Sequence, residues 1–117
     1  MDYVIVCERT GQTIAQRARL ANRPWSRMLG LLGRRGLAPG EAIILRPAFS
    51  IHTMFMRFAL DVIFLSRGGD VVKIARDVRP FRMVSGRGAH DTIEMQAGAL
   101  DADLNVGDRL IMSRREG

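Results

Sequence analysis

Short apolar runs, broken by Gly, Pro and Asn-Asp punctuation, recur along the chain, and a single stretch carries helical spacing. Residues 3–8, YVIVCE, are β-branched and aromatic and predict a strand. Thr10-Gly11-Gln12 supplies a turn, and Thr13–Ala21 predicts the partner strand, with Ile14, Ala18 and Leu20 facing inward in an imperfect alternation. Asn22-Arg23-Pro24 is a helix-start signal: Asn can cap, and Pro is tolerated in the first turn. Trp25, Met28, Leu29 and Leu32 then fall on one helical face, and Gly33 ends the run. Trp25 reads as a core anchor of this amphipathic helix rather than as a stacking platform.

Glu41–Leu45 is a short strand halted by Arg46-Pro47, because Pro lacks the N–H a central strand needs. Ser50–Leu65, SIHTMFMRFALDVIFL, is the longest apolar run and the one the chain is organised around. Read as a strand, it puts Ile51, Thr53 and Phe55 on one face and His52, Met54 and Met56 on the other. Asp61–Ser66 and Val71–Ala75 form a hairpin about Arg67-Gly68-Gly69-Asp70. Asp77–Asp91 reads as the longest irregular segment, a lid or binding loop. Thr92–Gln96 is a strand, Ala99–Leu104 a single helical turn, and Arg109–Met112 the last strand. The pattern predicts one domain over residues 1–117, mainly β: a small β-sandwich or barrel-like fold of antiparallel strands with one short amphipathic helix.

Composition changes this picture little. A chain of 117 residues supports a single core without staples. One cysteine, Cys7, excludes an internal disulfide and any Cys-pair metal or redox motif, and its apolar surroundings predict a buried, inert thiol. No apolar run reaches the length of a membrane span, and the acidic Asp2 does not fit a signal peptide, so the expected location is the cytoplasm, with no membrane partner. The net charge of +6 raises nucleic acid as a partner. All basic residues except Lys73 are arginine, a skew suggesting GC-rich codons, and they are scattered without a basic run longer than two, so nucleic acid is disfavoured.

The string IHTMFMRFALDVIFL, a Gly-Gly turn with VVKIA, and TIEMQAGALDADLNVGD together resemble a prokaryotic family catalogued as domain of unknown function 192, or uncharacterised protein family 0127. The segment PWSRMLGLLGRRGLAPGEAIIL is similar to that family's Arg-x-x-Gly-Leu segment, so the resemblance spans about residues 21–112. Ala59 departs from the Pro that many relatives carry before Leu-Asp or Ile-Asp. The resemblance implies a small, mainly β fold and no settled activity.

His52, Asp61 and Glu94 are the polar residues inside apolar strands, and each needs a partner if buried. Asp61 fits a structural role, accepting backbone N–H groups across a bend, with Arg57 placed to pair with it. Glu94 reads equally as part of a solvated strand face or as a pocket lining, and His52 reads as a hydrogen-bonded core histidine before a catalytic base. Neither the two histidines nor the single cysteine has metal-ligand spacing, so no metal and no cofactor is expected. Ser50 and His52 share a strand face without a nucleophile elbow. The expectation is a binding module for a small polar or anionic ligand or a partner protein. Its candidate site is His52, Thr53, Asp61 and Glu94 with Arg57, and with Arg79, Arg82 and Arg87 on the adjoining loop. An enzyme using His52 with Asp61 or Glu94 as acid and base is the alternative.

Overall fold

Nine strands form from the apolar runs in a computed structural model that describes residues 2–21, 36–54, 56–100 and 102–115. They are β1 (Asp2–Cys7), β2 (Thr13–Ala21), β3 (Glu41–Leu45), β4 (Ser50–His52), β5 (Leu60–Leu65), β6 (Val71–Val78), β7 (Met83–Ser85), β8 (Asp91–Gln96) and β9 (Leu110–Arg114). Seven of them make one sheet in the order β6-β5-β8-β3-β2-β1-β9, while β4 and β7 pair separately as a small flap. The helix expected from Pro24 to Leu32 lies outside the described residues, and no described helix is long and apolar enough to cross a membrane.

The first hairpin is as predicted, and its imperfect alternation has a cause. The register of β1 on β2 shifts around Ile5, so a bulge brings both Ile14 and Ala15 inward. The sheet is not wholly antiparallel: β2 and β3 run parallel, from Arg17 beside Glu41 to Ala21 beside Leu45. A parallel pair needs a crossover of about a dozen residues or more, which residues 22–40 supply.

The sheet curls until its two edge strands meet at one end. There Leu110 N–H donates to the Gly69 carbonyl at 2.9 Å, and Val71 N–H donates to the Asp108 carbonyl at 2.7 Å. Asp70 and Arg109 form the bridge between these edges. Gly69 has φ of +91°, and a Cβ there would stand 3.0 Å from the Leu110 carbonyl oxygen, so the closure calls for glycine. The result is a half-barrel rather than a two-sheet sandwich.

Both faces of this sheet are apolar. The inner face gathers Ile5, Ile44, Ile63, Leu65, Ile93 and Leu110, capped by Leu100, Ala102 and Leu104. The outer face gathers Ile43, Leu45, Leu60, Val62 and Phe64 beneath Leu37, Phe58 and the inward side chains of the flap, Ile51 and Val84. This explains why β5 is buried at all six positions and reads as a continuous apolar run.

Three expectations are corrected here. Ser50–Leu65 is not one strand: β4 stops at His52, a turn follows in which Met56 N–H donates to the Thr53 carbonyl, and the sheet resumes only at Leu60. Asp77–Asp91 is not one irregular loop, because β6 runs on to Val78 and β7 pairs with β4. The described residues of Ala99–Leu104 are irregular rather than a helical turn.

Candidate functional site

Register decides where each candidate side chain stands. Glu94 of β8 pairs with Ile43 on one side and Val62 on the other, which places it on the outer face of the sheet. Asp61 pairs with Met95 and faces the interior. His52 points outward from the flap opposite Met83 and is exposed, which corrects its assignment as a core histidine. His52, Asp61 and Glu94 therefore occupy three different surfaces.

Asp61 is buried because its carboxylate is fully used. Oδ1 accepts Asp77 N–H at 2.9 Å, and Oδ2 accepts Gly98 N–H at 2.9 Å and Leu100 N–H at 3.1 Å. The group ties the end of β6, where Asp77 has φ of +52°, to the turn after β8. This is the structural role the sequence suggested, made with backbone donors and not with Arg57, which is exposed.

Thr53 is also an organiser. Its buried hydroxyl donates to the Arg79 carbonyl at 2.6 Å and accepts Arg82 N–H at 2.9 Å, while its carbonyl accepts Phe81 N–H at 3.0 Å. The turn so held carries Phe81 at φ of +62°, a left-handed conformation that costs an L-residue about 1–2 kcal/mol. Arg79 reaches Asp77 at 3.5 Å with both groups exposed, and Arg82 and Arg87 point into solvent.

The remaining buried carboxylates that sequence reasoning passed over are also partnered. Asp91 takes a two-pronged bond from Arg46 at 3.0 and 2.9 Å and meets His90 Nδ1 at 2.8 Å. Asp108 accepts Arg9 Nε at 2.8 Å and Asn105 N–H at 2.8 Å, with the Cys7 thiol at 3.7 Å. The Arg9 guanidinium, followed by the Asn105 N–H, holds the Asp108 pKa at about 2.

Glu94 is the exception. It is 7% exposed, yet it makes no hydrogen bond or ion pair among the described residues. Burial alone pushes its pKa up to about 7, since nothing nearby stabilises the charged form. Thr92, on the same face, is satisfied by the Ala48 carbonyl, and the Gln96 side-chain oxygen accepts Leu37 N–H at 2.9 Å. The solvated strand face that sequence reasoning allowed for Glu94 is thus replaced by a buried, apolar setting.

Beside Glu94, across Ile43, lies an open cleft of about 210 Å³ lined by Asp2, Arg17, Arg19, Glu41, Ala42 and Ile43. Arg19 pairs in register with Ile43, so Arg19, Ile43 and Glu94 form one row across β2, β3 and β8. Arg17 is within 3.6 Å of Asp2, whereas Arg19 makes no ion pair among the described residues. Sequence reasoning left Arg17 and Arg19 out of the candidate site because strand alternation about Ala18 and Leu20 points them to water. The parallel pairing that buries their neighbours leaves no local signal. Among the described residues no three His, Cys, Asp or Glu side chains group to hold a metal ion.

Comparisons with known proteins match this architecture. A solved structure from Sinorhizobium meliloti, titled a putative transcription regulator, superposes with a TM-score of 0.83 at 22% identity, covering 96% of this chain and 94% of that one. A protein of unknown function from Novosphingobium aromaticivorans superposes with a TM-score of 0.79 at 20% identity, covering 95% and 84%. At these identities the likeness shows the fold. A UPF0127 protein of the archaeon Pyrococcus furiosus is 35% identical over 112 residues, 89% of this chain and 93% of its own length. The model of the family described as Uncharacterized ACR, DUF192, matches residues 5–112, and the chain belongs to that family.

Proposed function

We propose that this domain is a binding module for a small polar ligand, held on the outer face of the sheet between Glu94 and the Arg19 side of the neighbouring cleft. One observation carries the reading: Glu94, 7% exposed and with its carboxylate oxygens still in reach of solvent, makes no hydrogen bond or ion pair among the described residues, whereas Asp61, Asp91 and Asp108 are each satisfied several times over. A ligand hydroxyl or amine bonded to Glu94 gives its carboxylate the partner that it lacks among the described residues, and an anionic group on the same ligand suits the Arg19 guanidinium, which has no ion pair among them. Two strand spacings separate the two positions, about 10 Å, so the ligand has the size of a sugar phosphate or a hydroxylated organic acid.

The acid–base alternative keeps one favourable observation, a Glu94 carboxyl that titrates near pH 7. It has neither His52 nor Asp61 beside it, since they lie on other surfaces. Binding is therefore the preferred reading.

A thermal-shift panel of organic acids, sugar phosphates and nucleotides tests it. Glu94→Leu should raise the intrinsic melting temperature and abolish the shift caused by any active compound, and Arg19→Ala should weaken that shift. The reading fails if no compound in the panel shifts the wild type, or if Glu94→Leu responds as the wild type does.

A further inference from the structure

The pairing of β4 with β7 gathers charges that the sequence scatters. Residues 42–60 and 78–90 contain no Asp or Glu but hold Arg46, Arg57, Arg79, Arg82 and Arg87. That is five positive charges in two segments of a protein whose net charge is +6. Arg46 is neutralised by Asp91 and Arg79 is near Asp77, while Arg57, Arg82 and Arg87 make no ion pair among the described residues.

The same flap displays large apolar side chains. Phe49 is 64% exposed, Phe81 56% and Met83 71%. Phe49 stands at one end, where its carbonyl accepts Gly86 N–H next to Arg87. Phe81 stands at the other, locked by Thr53 in a left-handed conformation between Arg79 and Arg82. Holding an exposed aromatic residue in a strained backbone state signals a displayed contact. Between the two ends, His52 and Met83 form the outward pair, and the Ser50 and Ser85 hydroxyls bond to each other at 3.0 Å. Phe49 to Thr53 spans about 13 Å of extended chain, the reach of about two nucleotides.

We propose that the outward face of the β4–β7 flap is a binding surface for single-stranded nucleic acid. Bases stack on Phe49, Phe81 and the His52 ring, and Arg57, Arg82 and Arg87 meet the phosphates. Aromatic platforms interleaved with arginine and free of carboxylates are what an unpaired strand requires, because every base offers a π-face and every linkage a charge. An anionic lipid surface shares the charge requirement but not the polar centre: His52, Ser50 and Ser85 sit where a membrane wedge would be apolar. The surface is separate from Glu94 and does not depend on the ligand reading.

Fluorescence anisotropy of a short labelled oligothymidylate, with the intact protein, tests this. Three or four phosphate contacts predict a roughly 20- to 50-fold loss of affinity between about 50 and 200 mM salt. Phe49→Ala and Phe81→Ala should each weaken binding at least about 5-fold, and Phe49→Ala should do so with an unchanged melting temperature, since its side chain is 64% exposed. Glu94→Leu should bind the strand as the wild type does. Absence of binding at low salt overturns the proposal. So does equal affinity for a polyphosphate that lacks bases, insensitivity to both Phe substitutions, or tighter binding to phosphatidylglycerol vesicles than to the oligonucleotide.

Discussion

Asp61 and Glu94 stand one register step apart on adjacent strands and face opposite sides of the sheet. The inner carboxylate is surrounded by backbone donors and the outer one by aliphatic side chains, so two acids of similar sequence context have opposite energetics. Asp61→Asn puts an amide among three N–H donors and should destabilise the fold by roughly 3–5 kcal/mol in a urea melt. A change below about 1 kcal/mol would show that this tie between β6 and the turn after β8 is dispensable.

Glu94 should have the reverse effect, with a defined pH window. Its folded pKa of about 7 lies above the usual 4.5, so the folded state holds the proton more tightly than the unfolded chain. The cost is absent below pH 4.5, grows as pH rises, and is complete above pH 7. The shift corresponds to about 3 kcal/mol at 1.36 kcal/mol per pH unit. Urea melts of Glu94→Gln and wild type without ligand should therefore coincide in mild acid and diverge in favour of the variant by pH 8. Parallel curves across that range would mean that Glu94 is ionised in the folded protein.

Gly86 fixes the seat of the flap. A Cβ there would lie 2.4 Å from Phe64 Cγ and 2.6 Å from its Cβ, against a ring that is itself fully buried. Gly86→Ala should cost about 1–3 kcal/mol through overpacking. Hydrogen exchange should then rise first at Ile51 and Val84, the flap residues that lie on the outer face. Unchanged protection at these two amides would show that the flap accommodates the methyl group.

Asp108 governs acid resistance. Its pKa is lowered from 3.8 to about 2, so its stabilisation is present above pH 3.8 and is lost as pH falls through about 2. Asp108→Asn should unfold at a higher pH than wild type during acid titration followed by circular dichroism. Coincident acid transitions would show that the Arg9–Asp108 pair does not contribute to folding.

Local pattern was enough for β3, the first hairpin and the hairpin about Gly68-Gly69, where alternation and turn residues act over a few positions. It failed where partners are distant in sequence. Met83–Ser85 carries no strand signal strong enough to stand alone, and it is a strand because His52 and Ile51 arrive from thirty residues away. The Asp61 role was legible because a carboxylate entering a strand after a bend has few uses. The Glu94 setting was not, because strand alternation does not say that the outer face is covered as well. Arg19 and the flap arginines acquire meaning only through β2–β3 and β4–β7 pairing, which no sequence window contains.

The position of β1 between β2 and β9 has a bearing on how the chain is made. Its backbone groups find partners on one side as soon as Thr13–Ala21 has left the ribosome, but those on the other side wait until residues 110–114 have followed. Until then the nascent chain shows an open strand edge along the free side of β1. β9 both covers that edge and draws the Asp70 turn against Arg109, so protection from misassociation and closure of the half-barrel arrive in one event.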